Sequence, residues 1–155
     1  PIWPAGPWGY VKSERYKSTV WMLSRLAQVR SWGGNYLINV APRPDGEMPT
    51  PYYERMAELA AWMAHSGESL LDTAPGPYPQ QCYTLVTIRG ETWYLHVLPE
   101  RETPLQLQDV SRPASVRVLR TGQDLPYAFY GGTLMVDVSG PWRTPLDDMV
   151  AVRWA

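Results

Sequence analysis

Two carboxylates that follow a short apolar stretch are the first residues in this sequence that could do chemistry. Asp45 and Glu47 come soon after residues 36–40, which are nearly all apolar. If that stretch is a strand of a βα barrel, the two side chains lie at the end where barrels build active sites, and they form a candidate catalytic pair. Asp45 precedes Gly46, however, and Asp-Gly is a common turn dipeptide. We favour the turn and keep the pair as a fallback candidate.

The two histidines give no indication of a metal site. His65 lies near the end of a predicted helix and His96 lies inside a predicted strand. No Cys/His cluster at metal-ligand spacing accompanies either of them. We expect His65 to act as a cation at a helix C-terminus and His96 to be a half-buried strand residue. No phosphate-binding or dinucleotide-binding glycine loop occurs, so the sequence predicts neither a metal nor a cofactor.

The first half of the chain follows the pattern helix, strand, helix. Ser18 can cap a helix that runs to residue 31 and stops at Gly33. Residues 36–40 are typical of a strand buried on both faces in a parallel sheet, although periodicity alone does not separate that from a buried helical turn. The second helix is predicted to start with Thr50 as its N-cap and to end at Gly67. It should carry Met56, Leu59, Ala60 and Met63 toward a core. The order helix, strand, helix is typical of a βα barrel.

A proline-rich linker is predicted at residues 74–79, because three prolines and a glycine in six residues cannot continue a helix or a central strand. After it the hydrophobic period changes to two, which is typical of strands. The predicted strands are residues 83–88, 92–98, 115–119, 133–138 and 149–154, the first two forming a hairpin. We therefore predict an α+β fold with two domains: residues 1–72, a helix-strand-helix remnant of a βα barrel, and residues 73–155, an antiparallel β-sandwich.

The composition excludes several classes of protein. The 155 residues are 45% hydrophobic and 19% charged, which is typical of a folded globular chain. A net charge of −1 gives no electrostatic footprint for nucleic acid. No apolar run approaches the roughly 18 residues of a membrane span. We expect neither nucleic acid nor a membrane as a partner, while the compartment stays open between cytoplasm and exterior.

Five short motifs occur in a fixed order in the first 68 residues. They are WGY at residues 8–10, KS at 17–18, GGNYLINVAP at 33–42, PDGEMP at 44–49 and SGE at 66–68. Their order and spacing resemble the C-terminal part of α-L-fucosidases, the family-29 glycoside hydrolases. The sequence departs from that pattern at Pro7, Arg30, Ala41 and Ser66. The stretch from Lys17 to Pro49 needs no gap.

The resemblance implies a retaining glycosidase reaction, in which an aspartate attacks the sugar and a glutamate acts as acid and then base. Both family residues lie upstream of the WGY motif, so neither has a counterpart among these 155 residues. The family places an aromatic residue against the methyl face of fucose, and this role falls on Trp8, with Tyr10 beside it as a second substrate-binding candidate. From the residues alone we favour ordinary packing of Trp8 beside Trp3.

The resemblance therefore implies an α-L-fucosidase-like protein represented by its C-terminal part, with a fucosylated glycan or fucoside as its partner. A sandwich rich in tryptophan and tyrosine is also compatible with a non-catalytic carbohydrate-binding or structural module. Residues 36–40 would normally be covered by neighbouring barrel units, and uncovered apolar surface favours association. We therefore expect a homo-oligomer, a dimer in which the barrel remnant packs against its own copy.

Overall fold

The computed structural model describes residues 9–12, 15–77 and 83–154, and it has an α+β fold of two helices and two antiparallel sheets. Helix α1 is Thr19–Ser31 and helix α2 is Thr50–Ser66, followed by a single 3₁₀ turn at Gly67–Ser69. The strands are β1 Ala74–Pro75, β2 Leu85–Arg89, β3 Thr92–Val97, β4 Leu105–Leu107, β5 Pro113–Val118, β6 Tyr127–Tyr130, β7 Thr133–Val136 and β8 Asp148–Trp154. The predicted fold class is confirmed.

Helix α1 starts and ends where the sequence predicts. The Ser18 hydroxyl accepts a 3.2 Å hydrogen bond from the Trp21 amide, as an N-cap does. Gly33 has a φ of 79°, a left-handed conformation that glycine adopts without steric cost, and it turns the chain away from the helix. Met22 and Leu23 of this helix are buried.

Helix α2 differs from the prediction at its start, while Met56, Leu59 and Met63 pack against the core clusters as predicted. The N-cap is Pro49 rather than Thr50, and no side chain caps the first turn. Ala60, predicted to face the core, is exposed, whereas Trp62 is only 2% exposed. The large side chain of Trp62 buries more apolar surface than the small side chain of Ala60, so tertiary packing turns Trp62 toward the core.

The predicted strand at residues 36–40 is wrong. The segment from residue 34 to residue 42 forms no strand, and Leu37 is 81% exposed. A parallel strand is stable only when neighbouring strands bond its backbone and helices cover its faces. In the described part of the chain no strand pairs with this segment. It connects the two helices, and its Ile38, Val40 and Ala41 pack with Met22 of α1.

The two sheets form a sandwich. The larger sheet has the order β1-β2-β3-β8-β5, and the smaller has the order β4-β7-β6. The predicted hairpin is confirmed, since β2 and β3 pair with Arg89 opposite Thr92 across a two-residue turn. Ala74–Pro75 belongs to an edge strand rather than a linker, a position where proline is tolerated because its missing N–H faces outward.

The larger sheet is covered on both faces. One face packs against the smaller sheet through a core to which Leu95 and Val97 of β3 contribute. Tyr94 alternates to the opposite face and packs in a second cluster with Leu23 of α1 and Trp62 of α2. The helices therefore lie directly on the sandwich. Among the residues described, no helix is long and apolar enough to cross a membrane.

Candidate functional site

Asp45 and Glu47 lie in a tight surface turn. The Arg43 amide donates to the Glu47 carbonyl over 2.8 Å, and the Glu47 amide donates to Asp45 Oδ1 over 3.0 Å. The Arg43 guanidinium lies 3.4 Å from the same carboxylate oxygen. Both carboxylates are exposed. Their contacts stabilise the turn, which supports the turn interpretation, and their catalytic candidacy stays a fallback prediction.

The two substrate-binding candidates are not brought together by the described structure. Trp8 lies outside the described residues, so its role stays a prediction. Tyr10 lies in the short described stretch of residues 9–12 and is 36% exposed, which leaves its ring accessible.

His65 is a poorer cation than the sequence predicts. Its Nδ1 lies 2.7 Å from the Ser66 hydroxyl. Burial and then the positive charge of Arg120 lower the pKa of the His65 imidazole below its ordinary value. The expected charge at the helix C-terminus is therefore disfavoured at neutral pH.

The sequence did not predict a buried polar cluster that lies on the larger sheet. His96 is 1% exposed rather than half-buried, and its Nδ1 lies 2.8 Å from Oδ2 of Asp147, which is 2% exposed. Thr87 lies on the same face of the sheet, with its hydroxyl 3.3 Å from His96 Nε2. The partners are 51 residues apart in the chain, and neither belongs to a motif, so no local pattern indicates the pairing.

Hydrogen bonds connect the cluster to the 3₁₀ turn. The Thr87 hydroxyl donates to the Ser69 carbonyl. His96 Nδ1 and Asp147 Oδ2 share a hydrogen bond of 2.8 Å. Burial raises the pKa of the Asp147 carboxyl, and the neighbouring His96 opposes that rise. The cluster is thus a buried, hydrogen-bonded pair of His96 and Asp147.

The order Thr, His, Asp has the connectivity of a nucleophilic triad, but the arrangement is structural. Thr87 is 0% exposed and its proton is committed to the Ser69 carbonyl, so no substrate can reach it. Trp62 adds a link from helix α2, since its Nε1 donates to the Asp147 backbone carbonyl. These hydrogen bonds therefore attach helix α2 and the 3₁₀ turn to the larger sheet.

A groove of about 840 Å³ runs between helix α1 and the loop at residues 98–103, with His96 among its lining residues. The helix contributes polar and aromatic side chains to one wall, and the segment just before β2 contributes Tyr83 to the other. No group of three or more metal-ligating side chains occurs within the described ranges. Among the described residues, this groove combines the volume and the mixture of polar and aromatic side chains that a small-molecule site needs.

Comparison with known proteins gives a consistent result. The sequence model of the α-L-fucosidase family matches residues 4–68. Tissue α-L-fucosidase of Bos taurus is 34% identical over 92 residues, which cover 56% of this chain and 18% of that protein. Plasma α-L-fucosidase of Rattus norvegicus is 30% identical over 69 residues, covering 43% of this chain and 15% of that protein. The matched region is thus less than a fifth of the length of these relatives.

Solved structures extend the similarity to the sandwich. α-L-Fucosidase isoenzyme 1 from Paenibacillus thiaminolyticus superposes with a TM-score of 0.83 at 24% identity, over 96% of this chain and 37% of that one. The α-fucosidase of Thermotoga maritima gives a TM-score of 0.75 at 23% identity, over 94% and 36%. In sequence and in fold, the chain resembles the C-terminal part of α-L-fucosidases.

Proposed function

We propose that this chain is the C-terminal part of an α-L-fucosidase-like glycoside hydrolase that removes terminal α-L-fucose with retention of configuration. The observation that carries the proposal is the agreement of two comparisons. The family's sequence model matches residues 4–68, and a fucosidase fold superposes on 96% of the chain.

The catalytic carboxylates belong, on this proposal, to barrel units that these 155 residues do not contain. A retaining glycosidase needs two carboxyl groups about 5 to 5.5 Å apart across the scissile bond. Asp45 and Glu47 are poor candidates for that pair, because Asp45 binds the Glu47 amide and the Arg43 guanidinium within an exposed turn. The chain's own contribution is the sandwich and the two helices that pack on it.

Trp8 and Tyr10 are the chain's proposed contacts with substrate. An aromatic ring can cover the methyl face of fucose and leave its hydroxyls to polar groups elsewhere. The accessible ring of Tyr10 is compatible with this role.

Hydrolysis of an aryl α-L-fucoside tests the proposal. The isolated chain should release little aryl alcohol, whereas a polypeptide that joins it to a complete barrel of the family should turn the substrate over. In that longer protein, Trp8→Ala should raise KM, while Trp32→Ala, a change at a tryptophan that is 59% exposed, should leave KM unchanged. An inactive longer protein that is folded would contradict the proposal.

Turnover by the isolated chain would also contradict it. Asp45→Asn and Glu47→Gln would then be tested, and loss of turnover in both variants would assign catalysis to that pair.

A second candidate function is non-catalytic binding of a carbohydrate, and the groove beside helix α1 favours it. Its mixed polar and aromatic lining suits a sugar better than an apolar ligand. On this alternative, the isolated chain binds a glycan saturably without turnover. A purely structural sandwich would show neither binding nor turnover.

A further inference from the structure

The groove has two walls that carry different chemical groups. Helix α1 presents Trp21, Arg25 and Gln28, which lie on one side of the helix because they are separated by three and four residues. The opposite wall is the loop at residues 98–103 together with Tyr83, which lies two residues before β2. A volume of about 840 Å³ lies within the range of pockets that hold small organic ligands.

The arginine on the helix wall is held in place. Arg25 donates to Gln28 Oε1 over 2.7 Å, and its guanidinium carbon lies 5.7 Å from the centroid of the Trp21 ring. A guanidinium has five N–H donors, so Arg25 keeps donors for a ligand. Because the side chain is already positioned, binding costs less conformational entropy than it would for a free arginine.

The arginine on the loop wall is held in the same way. Arg101 donates to the backbone carbonyls of Thr103 and Pro104 over 3.1 and 3.3 Å. These bonds fix the shape of the loop and, with it, the positions of Glu100 and Glu102, which also line the groove.

The charges that line the groove balance. Arg25 and Arg101 are matched by Glu100 and Glu102, so the groove has no excess of either sign. An anionic ligand would gain from the arginines and lose against the glutamates. A neutral ligand rich in hydroxyl groups can use both, since each hydroxyl donates and accepts.

Tyr83 supplies an apolar surface. Its side chain is 80% exposed, an unusual exposure for a large aromatic side chain. Rings of this kind pack against the apolar face of a sugar, because the ring is flat and loses little entropy on binding. We propose that the groove binds a neutral oligosaccharide, with Tyr83 against the face of one sugar ring and Arg25 and Glu102 bonded to its hydroxyls.

The proposal rests on the second candidate function, carbohydrate binding in this groove, and names the ligand class and the residues that bind it. It needs no catalytic carboxylate. Titration calorimetry of the 155-residue chain with 2′-fucosyllactose, lactose and cellotetraose tests it. At least one of the three should bind saturably. Tyr83→Ala and Arg25→Ala should each weaken that binding at least roughly tenfold, and both residues are exposed, so the variants should fold. The backbone amide signals of Leu85 and Leu98 should shift in NMR spectra on titration.

Tyr130→Ala is the matched control. Tyr130 is 90% exposed and lies on β6 in the smaller sheet, so this variant should bind as the parent chain does. The proposal is overturned if none of the three sugars binds at millimolar concentration, or if binding survives in both groove variants and is lost in Trp8→Ala. Tighter binding of a sulfated heparin tetrasaccharide would also overturn it. Hydrolysis of an aryl fucoside, which contains a single sugar, tests the proposed enzyme separately.

Discussion

The indole Nε1 of Trp62 donates a 2.6 Å hydrogen bond to the backbone carbonyl of Asp147, 85 residues further along the chain. Trp62 belongs to helix α2, and Asp147 immediately precedes β8, the strand between β3 and β5 in the larger sheet. The same indole packs with Tyr94 and Met149 on the sheet. Helix and sheet are therefore connected by a buried polar contact as well as by apolar packing.

This connection predicts that the helices and the sandwich unfold together. Trp62→Ala should lower the free energy of unfolding by about 3 to 5 kcal/mol, because it removes a large buried side chain and leaves a cavity. Tyr53→Ala, at a residue of the same helix that is 52% exposed, should change it by less than about 0.5 kcal/mol. Urea unfolding followed by far-ultraviolet and near-ultraviolet circular dichroism should give coincident transitions. Two separated transitions would instead support independent domains at residues 1–72 and 73–155.

The buried His96–Asp147 pair and the exposed Arg117–Asp124 ion pair should differ in energy despite similar geometry. His96 and Asp147 are 2.8 Å apart and almost fully buried, while Arg117 and Asp124 are 2.7 Å apart and largely exposed. Asp147→Ala leaves a buried imidazole nitrogen without its partner and should cost about 1 to 3 kcal/mol. Asp124→Ala should cost less than about 1 kcal/mol, since solvent screens that pair. Equal losses in chemical denaturation would refute a special role for burial.

The pH dependence of stability should reflect the buried carboxyl. Burial raises the pKa of the Asp147 carboxyl in the folded chain above its ordinary value of about 3.9. Between these two pKa values, the folded state binds a proton that the unfolded state has already released. The free energy of unfolding then falls as pH rises through that window, by at most about 1.4 kcal/mol per pH unit. The Asp147→Asn variant lacks this titration.

Measurement of both proteins from about pH 4 to about pH 7 isolates the coupled His96–Asp147 pair, because groups outside that pair titrate similarly in the two proteins. The parent chain should lose stability relative to Asp147→Asn as pH rises. A relative gain would show that the His96 charge outweighs burial and lowers the carboxyl pKa.

The hydrogen bonds of the Arg30 guanidinium should also contribute to the free energy of unfolding. This guanidinium donates to the backbone carbonyls of Leu70, Gly34 and Thr73, over 3.2, 3.1 and 2.8 Å. This network joins the end of helix α1 to the chain after helix α2, and it accounts for a charged residue where the family pattern is commonly apolar. Arg30→Leu should lower the free energy of unfolding by about 2 to 4 kcal/mol, because part-buried carbonyls lose their donors.

Arg30→Lys should be intermediate, since an ammonium keeps the charge but cannot reach three carbonyls in a planar fork. Arg117→Leu, at an exposed arginine, is the control and should cost less than about 1 kcal/mol. Thermal unfolding of the three variants checks the order. A neutral Arg30→Leu would show that the network contributes nothing measurable.

The sequence predicts the ends of helix α1 and the β2–β3 turn correctly, because neighbouring residues determine them. Ser18 and Gly33 set the limits of helix α1, because a cap and a left-handed residue act within a few positions of themselves. The turn at Gly90-Glu91 set the register of the β2–β3 hairpin in the same way.

Partners distant in the chain were not predictable. His96 is buried because Asp147 and Thr87 reach it from other elements, and residue 96 alone carries no sign of them. The strand predicted at residues 36–40 does not form, because the partners that it needs are missing from the described structure. The apolar run of these residues is suited to a strand, but a strand forms only when other strands pair with it. The motifs indicated a family, whereas the contacts in this chain decided which side chains are buried.

Exposed apolar side chains at residues 32–40 favour self-association of the chain. The helices cover the larger sheet, yet Leu37 is 81% exposed and Trp32 is 59% exposed. Burying such side chains against a second copy gains about 25 cal/mol per Å² of apolar surface, and two-fold dimers are the commonest closed assembly. Sedimentation equilibrium at micromolar concentration should therefore show a dimer. Leu37→Glu should dissociate it, whereas Tyr130→Glu, on the smaller sheet, should not. A monomeric parent chain refutes the prediction, and dissociation by Tyr130→Glu alone would place the interface on the sandwich.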